Sequence, residues 1–182
     1  MNFTLKTFEQ LTNTELYNIL KARTEVFVVE QNCPYPEVDG KDLKSYHLYK
    51  EENGEIIAYL RILPPGVSYE ELSIGRVLVK KDHRGQKLAQ QLMEHALQFI
   101  QNELKETTVK IQAQEYLRNF YASFGFDAIS ETYLEDNIPH IDMLLKNSAI
   151  LFRNRGMADF SFKRFLTPSN FPLISLSFRV IF

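Results

Sequence analysis

From Val77 to Leu92 the sequence reads VLVKKDHRGQKLAQQL, an apolar run that stops at a charged turn and passes within a few residues into a helical pattern. Arg84, Gly85 and Lys87 occupy the junction. The chemistry open to such a junction is anion binding. The first turn of a helix carries backbone N–H groups without intrahelical acceptors, and the helix dipole adds partial positive charge there. Small residues, here Gly85 and Ala89, let an anion approach the backbone, and Arg84 at the mouth adds a charge-assisted contact. The same residues also suit a plain strand-to-helix connection with a solvated cation. The junction alone leaves both readings open.

Three further cations fall where water is scarce. Arg23 lies on the apolar stripe of a helical pattern, and Arg61 and Arg76 lie in apolar strand-like runs. Charges there need partners. Asp39 or Asp42 could supply them, or the guanidiniums could face a substrate carboxylate. The single cysteine, Cys33, has no activating histidine beside it and reads as a bystander thiol. One cysteine also excludes an internal disulfide framework, and no metal is implied.

The elements that must position these residues follow from periodicity. Residues 2–8 alternate as a short strand. Thr12 and Glu15 form a capping-box pattern ahead of a helix running from about 13 to the high twenties. Residues 31–45, rich in Pro, Asp and Gly, make a loop of functional character. Two apolar runs, 46–50 and 55–63, flank Asn53-Gly54, the favoured pair for a tight hairpin turn. A strand at 72–79, a helix at 86–101, a strand at 108–113, a helix at 115–124 closed by Gly125, and a strand pair at 128–134 and 139–146 complete an α/β order around a mixed sheet.

Composition bounds the rest. The 182 residues suffice for one ordinary domain with a core, and a net charge of -2 points to neither nucleic acid nor an anionic membrane. No apolar run reaches the ~20 residues of a membrane span, and the first residues lack a secretory-signal plan, so a cytoplasmic location is expected. Residues 148–182 differ from the body: they hold half of the chain's 14 phenylalanines, and five basic residues against the single acid Asp159. This Phe-rich basic extension could pack on the domain, join two copies as a homodimer, bind a partner, or be a translational extension without a selected role.

Several segments, in order, resemble the GNAT family of N-acetyltransferases. The junction matches its acetyl-CoA loop through Arg84, Gly85, Gln86, Lys87, Leu88 and Ala89, with Lys87 where the family usually has glycine. VKIQAQEYLRNFYASFGF (109–126) is similar to its fifth strand, following helix and terminal Tyr-to-Gly-Phe signature. RTEVFVVEQNCPYPEVDGKD (23–42), SIGRVLV (73–79) and EDNIPHIDM (135–143) look like the ElaA-type branch, with Asn137 where glycine is common. The resemblance covers about 1–147 and implies a GNAT-type mixed central sheet with flanking helices and a cofactor cleft between splayed parallel strands, those around 72–79 and 108–114.

That resemblance also implies a chemistry. Acetyl-CoA would be the co-substrate, its pantetheine arm paired with the backbone of Val77, Leu78 and Val79, one N–H of which would polarise the thioester carbonyl. Tyr121 would be the general acid for the thiolate leaving group, a phenol of pKa near ~10 being well matched to it. The acceptor, a small-molecule or peptide primary amine, needs a base: Glu30, Asp39, His47, Glu135 and His140 are candidates, with Glu30 and His140 preferred by position.

Two rival readings are carried. An acyl-homoserine-lactone synthase is similar in its Arg23-to-Phe27 helix and LRILPP (60–65), but such enzymes lack an Arg-Gly phosphate loop and carry a tryptophan that this chain does not have. The other is a non-catalytic acyl-CoA-binding interaction module, with the basic tail as its contact surface.

Overall fold

The computed structural model describes residues 2–146. The expected extension at 148–182 lies outside the described residues. Strand β1 (Thr4–Thr7) leads to helix α1 (Asn13–Arg23). Thr12 caps α1 as its sequence predicts: its Oγ1 accepts from the Glu15 amide at 3.2 Å, and Glu15 accepts from the Thr12 amide at 2.9 Å. Lys6 and Tyr49 also donate to Glu15, at 2.7 and 2.6 Å. Burial pulls the Glu15 pKa upward, but these bonds outweigh it and hold the carboxyl at about 2. From Thr24 to Glu30 the helix continues with π-helical bonding, which delivers Glu30 to the cleft described below.

Strands β2 (Tyr46–Glu52) and β3 (Glu55–Leu63) form the expected hairpin, with Asn53 and Gly54 at φ +53° and +81°, the left-handed pair that a two-residue turn of matching twist requires. β4 (Leu72–Val79), α2 (Leu88–Phe99), β5 (Thr108–Gln114) and α3 (Arg118–Ala122) follow. The expected final strand pair is instead three strands: β6 (Asp127–Ala128), β7 (Tyr133–Glu135) and β8 (Ile138–Lys146). The break has a local cause. Ser130 Oγ accepts from the Asp142 amide at 2.9 Å, taking the place of a strand carbonyl in the ladder. The Asp136-Asn137 turn between β7 and β8 is left-handed at both residues, φ +49° and +62°, a backbone Asn and Asp tolerate better than other side chains.

All eight strands join one sheet in the order β1-β2-β3-β4-β5-β8-β6, with β7 also on β8. Only β4 and β5 run parallel. On one face α2 buries Leu88, Leu92, Met93 and Leu97 in a core shared with Leu60, Ile62, Tyr121 and Phe126. On the other, Ile19, Ala22 and Val26 pack against Tyr49, Tyr59 and Leu78.

The feature that matters for function is where the sheet fails. β4 and β5 pair only at Leu72–Val109 and Ser73–Lys110. Beyond Ser73, β4 bulges against β3: Arg61 lies opposite Gly75 and Tyr59 opposite Leu78, so Arg76 and Val77 together face one residue, Leu60. Arg76 takes φ +55° to make the bulge. For an L-residue this costs on the order of 1–2 kcal/mol. The kink turns β4 away from β5, and the gap between them is the splay that the family resemblance implied.

Candidate functional site

The gap opens into a cleft of about 810 Å³ that runs from the loop before α2 to the β7–β8 turn. At its first end the chain makes a 3-10 turn, Lys81–His83, and then prepares α2 with two left-handed residues, Gly85 at φ +77° and Lys87 at φ +60°. A Cβ on Gly85 would meet no atom within 4 Å, so the backbone conformation, not crowding within the protein, demands glycine. At Lys87 an L-residue adopts the conformation that glycine takes at no steric cost, and its exposed side chain does not close the loop. Gln86 is exposed and Ala89 lines the cleft. Leu88 and Leu78 are 4 % and 3 % exposed, so only their backbone groups are available to a ligand. Their side chains are core.

Arg84 is at the mouth, as expected, but it is engaged. Its Nε donates to the Val79 carbonyl at 3.0 Å, and Nη1 and Nη2 donate to the two carboxylate oxygens of Glu30 at 2.7 and 2.8 Å. The Arg84 hydrogen bonds hold the Glu30 carboxyl below its usual range. Two residues assigned to different tasks in the sequence, cofactor binding and base catalysis, are thus one ion pair. As a base Glu30 is weakened by its partner.

Tyr121, on α3, lines the cleft beside Val77 and Val79. It is 6 % exposed and packs edge-on against Phe120, with ring centroids 5.0 Å apart, and against Phe126 at 6.1 Å. Its hydroxyl has no hydrogen bond among the described residues, and burial pushes its pKa above that of an ordinary phenol. The group is therefore a protonated O–H at neutral pH, held by its ring against the cleft wall.

At the other end, His140 Nδ1 lies 2.8 Å from the Ile138 carbonyl, and its ring stacks on Tyr133 at 6.5 Å. A carbonyl only accepts, so Nδ1 carries a proton, and in the neutral imidazole the lone pair is on Nε2. Glu135 and Asp136 line the same end. Two other base candidates are structural. Asp39 is clamped by Arg61 at 2.7 and 2.8 Å; burial raises its pKa, but Arg61 more than offsets this and keeps it well below the carboxylate range. His47 is fully buried between the Tyr59 hydroxyl (2.8 Å) and the Asp42 carbonyl (3.1 Å), and burial keeps it neutral.

The three cations of the apolar stretches find acids, and not only those expected. Arg23 donates to Asp42 at 2.6 Å and also to Glu37; Arg61 donates to Asp42 at 2.8 Å as well as Asp39; Arg76 Nε donates to Glu37 at 2.6 Å. Glu37, 5 % exposed, is the member that sequence reading missed. Its only signal was an acid between Pro36 and Asp39 in a loop, and nothing local says that the loop folds back over three arginines. The network ties loop 31–42 to α1, β3 and β4 and forms one wall of the cleft.

Among the described residues no group of His, Cys, Asp and Glu is placed to hold a metal, and no helix is long and apolar enough to cross a membrane.

Comparison with known proteins places these features. The family model described as "Acetyltransferase (GNAT) domain" matches residues 8–147. Protein ElaA of Escherichia coli strain K12 is 45% identical over 136 residues, 74% of this chain and 89% of ElaA. The E. coli ElaA crystal structure superposes with a TM-score of 0.75 at 42% identity, covering 80% of this chain and all of that one. A Pseudomonas aeruginosa structure described as an acyl-CoA N-acyltransferase gives a TM-score of 0.76 at 47% identity, over 79% of this chain and 98% of that one. A CoA-dependent acyl-homoserine-lactone synthase shares the fold at a TM-score of 0.59 but only 20% identity, over 74% of this chain and 79% of that one.

Proposed function

The chain belongs to the GNAT family of acyl-CoA-dependent acyltransferases, and from that premise we propose that it transfers an acetyl group from acetyl-CoA to a primary amine by direct attack. The observation that carries the reading is the splay itself. A strand edge left unpaired beyond Ser73, a preorganised helix start below it and a protonated phenol beside it converge on one cleft.

Acetyl-CoA supplies an activated thioester. The residues that fit it are those of the gap and the loop. The backbone of Val77, Leu78 and Val79 offers hydrogen bonds to an extended arm, one N–H polarising the acyl oxygen. The amides of Gly85, Gln86, Lys87, Leu88 and Ala89 would hold phosphate oxygens, and Arg84 would add charge once released from Glu30. Nε2 of His140 takes a proton from the amine as the new C–N bond forms. Tyr121 gives its proton to the sulfur as the C–S bond breaks. The acceptor is a small-molecule or peptide amine, and the reading needs no metal.

Tyr121→Phe tests the assignment, with CoA thiol release measured over a panel of primary amines. The expected result is a kcat lower by about 100-fold or more, with acetyl-CoA affinity within twofold of wild type. An unchanged kcat removes Tyr121 from the mechanism. Acetyl-CoA binding without turnover of any amine by the wild type favours a binding module instead.

A further inference from the structure

The floor of the cleft, on the acceptor side of the bulge, holds hydrogen-bond donors that no described residue uses. Ser73 Oγ is buried, with its residue 2 % exposed, and has no partner among the described residues. Arg61, also 2 % exposed, spends its two Nη groups on Asp39 and Asp42, and its Nε–H is likewise without an acceptor. Both residues line the cleft. In the β3–β4 register Leu63 lies opposite Ser73 and Arg61 opposite Gly75, which makes Arg61 and Ser73 diagonal neighbours on one face.

Arg76 adds a third donor. Its Nε is committed to Glu37, while Nη2 is 3.7 Å from Asp39, within ion-pair range but beyond a hydrogen bond. The guanidinium lies 5.8 and 5.4 Å from the ring centroids of Phe27 and Tyr35, and Arg76 lines the cleft. Its backbone takes φ +55° at the bulge. Glu37, Asp39 and Asp42 balance the charge of the three arginines, so the floor has little net charge; beside the buried donors, Asp42 Oδ2 is a buried acceptor also without a partner among the described residues. Lys110, beside Ser73 in the parallel register, is taken by Asp142 at 2.9 Å.

Buried donors without acceptors are rare in folded proteins because each forfeits a hydrogen bond to water. A planar group with two acceptor oxygens would satisfy several at once. Farther along β5, where Gln114 pairs with His140, the residues His140, Glu135 and Asp136 line the cleft with groups suited to an amine. We propose that the acceptor is a carboxylate-bearing amine of the amino-acid class, its carboxylate seated on Ser73, Arg61 and Arg76 and its amine turned toward His140. This rests on the acetyl-transfer reading and supplies its missing substrate class. Ser73 and Arg76 are then specificity residues, acting on binding of the acceptor.

The test uses matched acceptors that differ only in the carboxylate: lysine and cadaverine, ornithine and putrescine, phenylalanine and phenethylamine. CoA release is followed with each, and acetyl-CoA binding is measured separately by calorimetry. The expected result is a kcat/KM at least tenfold higher for the carboxylate member of at least one pair. In Ser73→Ala that preference falls at least tenfold, through KM. The melting temperature of this variant stays equal to or above wild type, because the deleted hydroxyl has no partner among the described residues. Equal or better use of the decarboxylated amines overturns the proposal, as does an unchanged preference in Ser73→Ala. Intact acetyl-CoA binding with no carboxylate-bearing amine acetylated overturns it too. Failure to bind acetyl-CoA is a different outcome, since it removes the acetyl-transfer reading underneath.

Discussion

Replacing Glu30 by glutamine is expected to tighten CoA binding, because Arg84, the arginine of the proposed phosphate loop, is tied to Glu30 in the free protein. The pair is bidentate, at 2.7 and 2.8 Å, yet its side chains are 39 % and 44 % exposed. Solvent screening at that exposure limits its worth to about 0.5–1 kcal/mol. Releasing Arg84 before the cofactor arrives therefore lowers Kd by roughly two- to fivefold. Removing a carboxylate that would face the phosphates acts in the same direction. Arg84 does not drift when freed, because its Nε still donates to the Val79 carbonyl. The assay is calorimetric titration with CoA in 50 mM and 500 mM salt. Exposed charges are screened over a few ångströms at the higher concentration, so the ratio of the two Kd values narrows toward one. Weaker CoA binding by Glu30→Gln would refute the reasoning, since it would make Glu30 a support for the cofactor rather than a competitor for Arg84.

Two further outcomes follow from the same structure. The carboxyls of Glu15, Asp39 and Asp42 have lowered pKa values, Glu15 to about 2, despite burial that opposes the shift. A lowered carboxyl adds stability that is complete above its unfolded pKa near ~4 and disappears as pH falls through the folded value. The melting temperature is thus expected to fall steadily below about pH 4.5; a flat profile from pH 4.5 to 2.5 would contradict the network's role. Lys87→Gly relieves a left-handed L-residue at φ +60°. Net of the added chain entropy of glycine, it should stabilise the fold by about 0.5–1 kcal/mol, read as a raised urea midpoint.

Much of the fold was legible because its signals are local. Thr12 and Glu15 cap α1, Asn53-Gly54 turns the β2–β3 hairpin, and the apolar spacing of Leu88, Leu92 and Leu97 fixes the inner face of α2. Arg84, Ala89 and Tyr121, singled out through the family resemblance, line one cleft. What the sequence hid are events between distant segments. Arg76 carries no mark of a left-handed bulge residue; its conformation is imposed by β3 on one side and by the arginine–acid network on the other. Glu30 and Arg84 are 54 positions apart, and neither announces the other. Ser130 interrupts a strand only because the Asp142 amide is opposite it. Leu88 lies in the loop and Leu78 on the strand expected to meet the cofactor, yet tertiary packing takes their side chains for the core.

The central claim is that backbone amides along the β4 edge and at the start of α2 receive the cofactor. Backbone hydrogen exchange with and without saturating acetyl-CoA tests it most directly. The account predicts slowed exchange concentrated at 77–79 and 85–89. Protection confined to other segments, or no change under conditions where acetyl-CoA demonstrably binds, would contradict it.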